Sequence, residues 1–94
     1  MIIHFEWDKN KNRANQKKHH ISFEEAKTVF YDENAILFFD EPHSDEEERY
    51  ILLGQSETSK ILIICHCYIE AHSTIRIYSA RQATKTEQKS YYQR

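Results

Sequence analysis

Two arginines five positions apart, Arg76 and Arg81, stand in the run Arg76-Ile77-Tyr78-Ser79-Ala80-Arg81, whose alternation reads as a β-strand. A guanidinium is a planar fork that stays charged and donates paired hydrogen bonds, so in a strand it needs an oxyanion to grip or a carboxylate to pair with. Ile75 and Ile77 share one face of that strand, and Arg76 and Tyr78 share the other. Arg81 has the opposite parity to Arg76. It joins the same cleft only if the strand ends, bends or bulges near Ala80. The Thr84-Lys85-Thr86-Glu87 that follows forms a capping box, which pins the end of the strand to a helix.

Proton carriers are the next need. His66 lies in the apolar strand Lys60 to Ile69, on the face opposite Cys65 and Cys67, and the neighbouring strand would bring it near Tyr78. Its plainer reading is a hydrogen-bonded histidine on a half-exposed sheet. Glu48 is an alternative base, placed just before a strand and beside Arg49; such a pair is also what an ordinary surface ion pair looks like. Cys65, His66, Cys67 and His72 do not make a zinc site, because His66 points away from both cysteines and no second ligand pair at finger-like spacing exists. Cys65 and Cys67, at i and i+2 of one strand, read as two buried thiols of a reducing compartment.

Cations concentrate elsewhere too. Lys9, Lys11, Arg13, Lys17 and Lys18 occupy a helix from Lys9 to about Lys18 with no acid between them and Ala14 as its only apolar residue. No wide hydrophobic stripe holds that helix. It is either a footprint for phosphates, whose binding would weaken with salt, or a solvated helix balanced by acid elsewhere. By segment, Met1–Tyr31 carries six basic and four acidic residues, Asp32–Glu48 none and eight, Arg49–Ile75 two and two, and Arg76–Arg94 five and one. Both ends are therefore basic and the middle strongly acidic. The span Asp40–Glu48 either shields the basic surfaces in cis or is a solvated turn that keeps an exposed edge from aggregating.

These side chains must be positioned by a 94-residue chain, room for one small domain over residues 1–94 and one modest core. Ile2 to Phe5 reads as a strand. Trp7-Asp8 leads into the basic helix with Asp8 as N-cap. Ser22-Phe23-Glu24-Glu25 is a second capping box, opening a short amphipathic helix through Phe23, Ala26, Val29 and Phe30. Ala35 to Phe39 reads as a strand buried on both faces, Tyr50 to Gln55 and Lys60 to Ile69 as two more, with turns at Ser56–Ser59 and Glu70–Ser73. The arginine-bearing strand and the helix Lys85 to about Tyr92 complete the order β-α-α-β-β-β-β-α. This is an α+β fold, a mostly antiparallel sheet packed by helices. The apolar runs are too short for a membrane span and the N-terminus is too soon charged for a signal peptide, so a cytoplasmic location is expected.

Taken together, Phe5-Glu6-Trp7-Asp8, Lys18-His19, Ser22-Phe23-Glu24-Glu25-Ala26, Glu48-Arg49 with Gly54, and Arg76-Ile77-Tyr78-Ser79-Ala80-Arg81-Gln82-Ala83-Thr84 with Glu87 and Tyr91 resemble the BrnT toxin family over nearly the whole chain. The resemblance implies a small RelE-like fold and an endoribonuclease acting as the toxin of a type II toxin–antitoxin pair. It also implies a BrnA-like antitoxin with a ribbon-helix-helix DNA-binding domain, through which alone the complex would reach operator DNA. The family pattern usually has Gly after Lys-His, where this chain has His20; a left-handed helix cap is the conformation at issue, and His tolerates it at some cost.

For a ribonuclease working without metal or other cofactor, the 2′-hydroxyl must lose a proton, the phosphate must be held and its charge offset, and the leaving 5′-oxygen must be protonated. Arg76 and Arg81 are then the phosphate ligands, and His66 or Glu48 the proton carriers. Lys11, Arg13, Lys18, His19, Arg49 and Tyr78 are the supporting RNA contacts. Two other readings use the same residues. A non-catalytic module would grip an antitoxin or another protein through its basic faces, and a nucleic-acid binder would use the first helix without chemistry. In the first, Arg76 and Arg81 belong to the gripping surface; the plainest reading of the two arginines is a pair of structural salt bridges with the acidic segment.

Overall fold

The structure, a computed structural model, describes residues 2–69 and 73–93. Its elements are β1 (His4–Glu6), α1 (Lys9–His19), α2 (Phe23–Ala26) running on as a 3-10 turn (Lys27–Tyr31), β2 (Ile36–Phe39), a second 3-10 turn (Glu41–His43), β3 (Tyr50–Gln55), β4 (Ile61–Ile69), β5 (Thr74–Gln82) and α3 (Lys85–Tyr92). The expected β-α-α-β-β-β-β-α order is the observed one. The predicted turn at Glu70–Ser73 lies outside the described residues except for Ser73.

The five strands form one sheet in the order β1-β5-β4-β3-β2. β2 through β5 are an antiparallel meander, and β1 joins β5 in parallel. α1 and α2 cover one face, over Phe23, Ala26, Leu52, Leu62, Ile64, Ile75, Ile77 and Ala80. On the other face Leu53, Ile61, Ile63, Ala83 and Tyr91 make a smaller cluster under α3. At Gly54 a Cβ would stand 2.8 Å from Val29 Cγ1 and 2.9 Å from Ala35 Cβ, so glycine is what lets the turn after α2 sit on β3.

The basic helix is held in an unexpected way. Ala14 is exposed, and the buried positions of α1 are Asn12 and Asn15. The Asn15 side chain donates to Ile21 O and Ala80 O, both at 2.8 Å, and accepts from Ala80 N at 3.1 Å. Asn12 Oδ1 accepts from Phe23 N at 2.9 Å. Two amides therefore clamp backbone groups of α2 and β5, doing the job of an apolar stripe and leaving the lysines free. Asp8 caps the helix as expected, accepting from the Asn10 and Lys11 amides. His20 closes it at φ 61°, in the left-handed region, with its N–H on Gln16 O. At α2, Ser22 accepts from Glu25 N, but the Glu25 carboxylate turns to Ser56 and Thr58 rather than closing the box. At α3 the capping box of Thr84 and Glu87 is complete.

One expectation needs correction. The sequence reads Ala35 to Phe39 as a strand buried on both faces; β2 is instead an edge strand, and Leu37, Phe38 and Phe39 are 48%, 45% and 50% exposed. An apolar run of this length does not say whether a strand sits in the middle of a sheet or at its margin.

Candidate active site

The parity of the two arginines is settled by a register shift. β4 pairs Cys65 with Ser79 but His66 with Ile77, so Tyr78 is an extra residue on β5. Such a bulge flips the alternation beyond it. Ile75 and Ile77 before it, and Ala80 after it, all enter the helix-covered core, while Arg76 (opposite Cys67) and Arg81 (opposite Ile63) come to the other face together. The break falls at Tyr78, two residues before Ala80.

Tyr78 becomes the centre of that face. The Arg49 guanidinium carbon lies 4.1 Å from its ring centroid and Lys11 Nζ 5.2 Å, both in reach of a cation–π contact. Its hydroxyl donates to Glu47 and stands 3.3 Å from Cys67 Sγ. Burial, followed by these two hydrogen bonds, raises the phenol above its ordinary pKa, and the Tyr78 bond holds the Glu47 carboxyl below its own. Three adjoining depressions share Lys11 and Tyr78. The largest, about 390 Å³, is walled by Lys11, Asp40, His43, Arg49, Cys65, Tyr78, Ser79 and Arg81 among others. A second of about 300 Å³ runs to Lys18 and His19, and a third of about 230 Å³ reaches Arg76. Lys11 and Lys18, with Asn15 between them, line one side of α1, so two of its five cations face the strand.

The guanidinium groups differ in what they have left to give. Arg76 pairs with Glu6 at 2.5 and 2.6 Å, and Arg81 forks onto Glu87 at 2.8 and 2.9 Å. That fork holds the Glu87 carboxyl down to about 2 and raises Arg81. Both partners lie outside the acidic middle segment that was expected to supply them. Arg49 is the least committed: among the described residues its one carboxylate contact, Nη2 to Glu47, is 3.4 Å, and its buried Nε has no hydrogen-bond partner. An unsatisfied buried donor at a cavity wall points to a group supplied from outside.

His66 is not in this cluster. It is 0% exposed on the helix-covered face, with Nδ1 3.1 Å from Ile64 O, Nε2 3.2 Å from the Tyr68 hydroxyl, and the rings of Phe30, Tyr50 and Tyr68 around it. The bulge is the physical reason it does not meet Tyr78: after the Cys65–Ser79 pair the register skips Tyr78 and sets His66 opposite Ile77, so His66 shares the face of Ile77 and Tyr78 lies on the other. Burial lowers His66 to about 4. Glu48 is exposed and lines none of the three depressions; the carboxylate that reaches Tyr78 and Arg49 is its neighbour Glu47. Arg13 is exposed on α1 and is also absent from these walls.

Sequence reasoning missed Asp40, His43, Glu47 and Ser79. Asp40 is 7% exposed while His43 is 68% exposed, and the carboxylate takes His43 Nδ1 at 3.0 and 3.1 Å. Their i, i+3 spacing and the i, i+2 spacing of Glu47 and Arg49 were the available signals. Asp40 also crowds Cys65, whose thiol is pushed up by burial first and by that negative charge second.

No curated protein matches the chain. Among solved structures, the crystal structure of the Brucella abortus ribonuclease toxin BrnT superposes with a TM-score of 0.68 at 19% identity, covering 89% of this chain and 100% of that one. The likeness establishes a shared fold. Residues 7–87, from Trp7 to Glu87 and so including every wall of the bulged face, match the family model of the ribonuclease toxin BrnT of type II toxin–antitoxin systems, and the chain belongs to that family.

Proposed function

We propose that this chain is an endoribonuclease toxin that cleaves RNA in the Tyr78 cavity by attack of the 2′-hydroxyl on the adjacent phosphate, with the charge offset by side chains and no metal. The observation that carries this reading is the bulge at Tyr78, which gathers Arg49, Arg81 and Lys11 around one cavity beside Arg76. Arg49 and Arg81 hold the phosphate, Lys11 and Lys18 guide the backbone in, and Tyr78 sets the nucleotide against the wall. Arg81 reaches the substrate by sharing or releasing Glu87. His43 takes over the proton transfer assigned to His66 and Glu48: Asp40 holds Nδ1, which leaves Nε2 to exchange a proton with the ligand. An antitoxin, BrnA-like with a ribbon-helix-helix domain, neutralises the toxin and carries the complex to operator DNA, all in the cytoplasm.

The test is cleavage of RNA by purified protein in EDTA, alongside Arg49→Ala, Arg81→Ala and His43→Gln. Each substitution should slow cleavage by about 10²-fold or more with the fold intact. Cleavage undiminished in all three would remove the site. RNA left intact by free wild-type protein, with a salt-dependent gel shift, would replace the enzyme by a binder.

A further inference from the structure

A second surface lies at the far margin of the sheet, where among the described residues no strand stands beyond β2. Its backbone is half used. The Asp40 N–H to Arg49 O bond fixes the alternation of the β2–β3 ladder, so Ile36 and Phe38 turn their amides toward β3 while Leu37 and Phe39 turn theirs outward. The side chains there are apolar on both faces. Leu37 and Phe39 lie on the side of Leu52, Phe38 on the side of Ile51, and all three are close to half exposed. Natural sheets protect such margins with lysines, proline or a bulge inside the strand, and Ile36–Phe39 has none of them.

The surroundings select the occupant. Exposed Glu33 stands before the strand and exposed Glu41 after it, followed by Asp45, Glu46, Glu47 and Glu48, and Asp32–Glu48 contains no basic residue. An antiparallel pairing of two copies about Leu37 would set Glu33 of each against Glu41 of the other, like charge against like. A segment with lysine or arginine at both ends meets opposite charge instead. We infer that β2 is the toxin's docking edge for its antitoxin, which adds a sixth strand here: an extended segment, apolar on both faces and basic at its ends. The inference rests on the toxin–antitoxin reading above, and it places the partner across the sheet from β5, with β3 and β4 between. Backbone pairing gives such a contact its affinity, and the flanking charges give its register.

The test uses the whole toxin and the antitoxin chain produced with it. Amide exchange at Leu37 and Phe39 should slow by at least about tenfold in the complex, while Ile36 and Phe38, already bonded to β3, change less. Leu37→Pro removes an outward N–H without touching the β3 ladder, and should weaken antitoxin binding by about 10²-fold while free toxin cleaves RNA at the wild-type rate. Should that variant not fold, Glu33→Lys with Glu41→Lys, both exposed, should weaken binding about tenfold and flatten its salt dependence. Antitoxin binding with Leu37 and Phe39 still exchanging freely overturns the proposal, as does failure of the antitoxin to bind wild-type toxin. Exchange protection in toxin alone that grows with its concentration assigns the edge to a second copy. If wild-type toxin leaves RNA intact yet the two amides are protected by antitoxin, the ribonuclease reading fails and the docking edge stands.

Discussion

His66 and His43 carry the same side chain, yet one is sealed among aromatic rings under the helices and the other stands open to the cavity on the opposite face of the sheet. The first has both ring nitrogens occupied by the protein's own groups; the second has Nδ1 on a buried carboxylate. What separates them is the face of the sheet each belongs to. The helix-covered face spends its polar groups on internal partners, and the bulged face keeps donors such as Arg49 Nε in reserve.

The sharpest way to break that contrast is to remove one group from each face. Arg49→Ala should lower the cleavage rate by about 10²–10³-fold, about 3–4 kcal/mol of transition-state stabilisation, with little change in melting. His66→Phe should do the reverse, altering stability and leaving cleavage per folded molecule within about twofold. Single-turnover rates and thermal melts of the two variants check this. Equal loss of cleavage in both would mean the faces are not functionally distinct.

Asn15 joins the two regions, since it fixes α1, whose lysines line the cavity, to Ala80 of β5. Asn15→Ala should cost about 3 kcal/mol, because it leaves the Ala80 amide and the Ala80 and Ile21 carbonyls short of a partner in a dry site. Denaturant titration measures it. A cost under about 1 kcal/mol would show that the clamp is not what holds the helix.

The order of elements, the caps at Asp8, Thr84 and His20 and the meander were legible in the sequence, because each rests on local spacing. The cavity was legible in part. Arg49, Arg81, Lys11 and Tyr78 stood out by type, but their convergence depends on one extra residue in β5, and nothing in the alternation of Arg76 to Arg81 marks Tyr78 rather than Ala80 as the break. The anchoring of α1 was invisible, since asparagine scores as polar and its buried amides show only when the groups they bond are in place. The exposure of β2 was hidden for the opposite reason: Ile36–Phe39 has the composition of a central strand.

pH separates the two faces more gently. His66 is held near 4 by burial against an ordinary value of 6.5, so between those values the unfolded chain binds the extra proton. Its contribution to stability is complete above about pH 6.5 and is lost as pH falls toward about 4. Between about pH 7 and about pH 5 the loss should be about 2 kcal/mol, and His66→Phe should flatten that slope. An unchanged slope in the variant would assign the pH dependence to other groups.

The smallest effect is expected at Arg76, which was ranked first with Arg81 from sequence. It lies in the smallest of the three depressions, and its exposed pair with Glu6 is of the kind that contributes little to stability. A guanidinium there can serve a phosphate next to the one being cleaved, as an outer contact. Arg76→Ala should then lower cleavage by less than about tenfold, raise the RNA concentration needed for half-maximal rate, and reduce the slope of log affinity against log salt by about 0.7, the share of one single-strand phosphate. Glu6→Gln should move affinity the other way, because it frees the same guanidinium. If Arg76→Ala abolishes cleavage at saturating RNA, the reacting phosphate sits over Arg76, and the working centre shifts from the Arg49 side of Tyr78 to the Trp7 side.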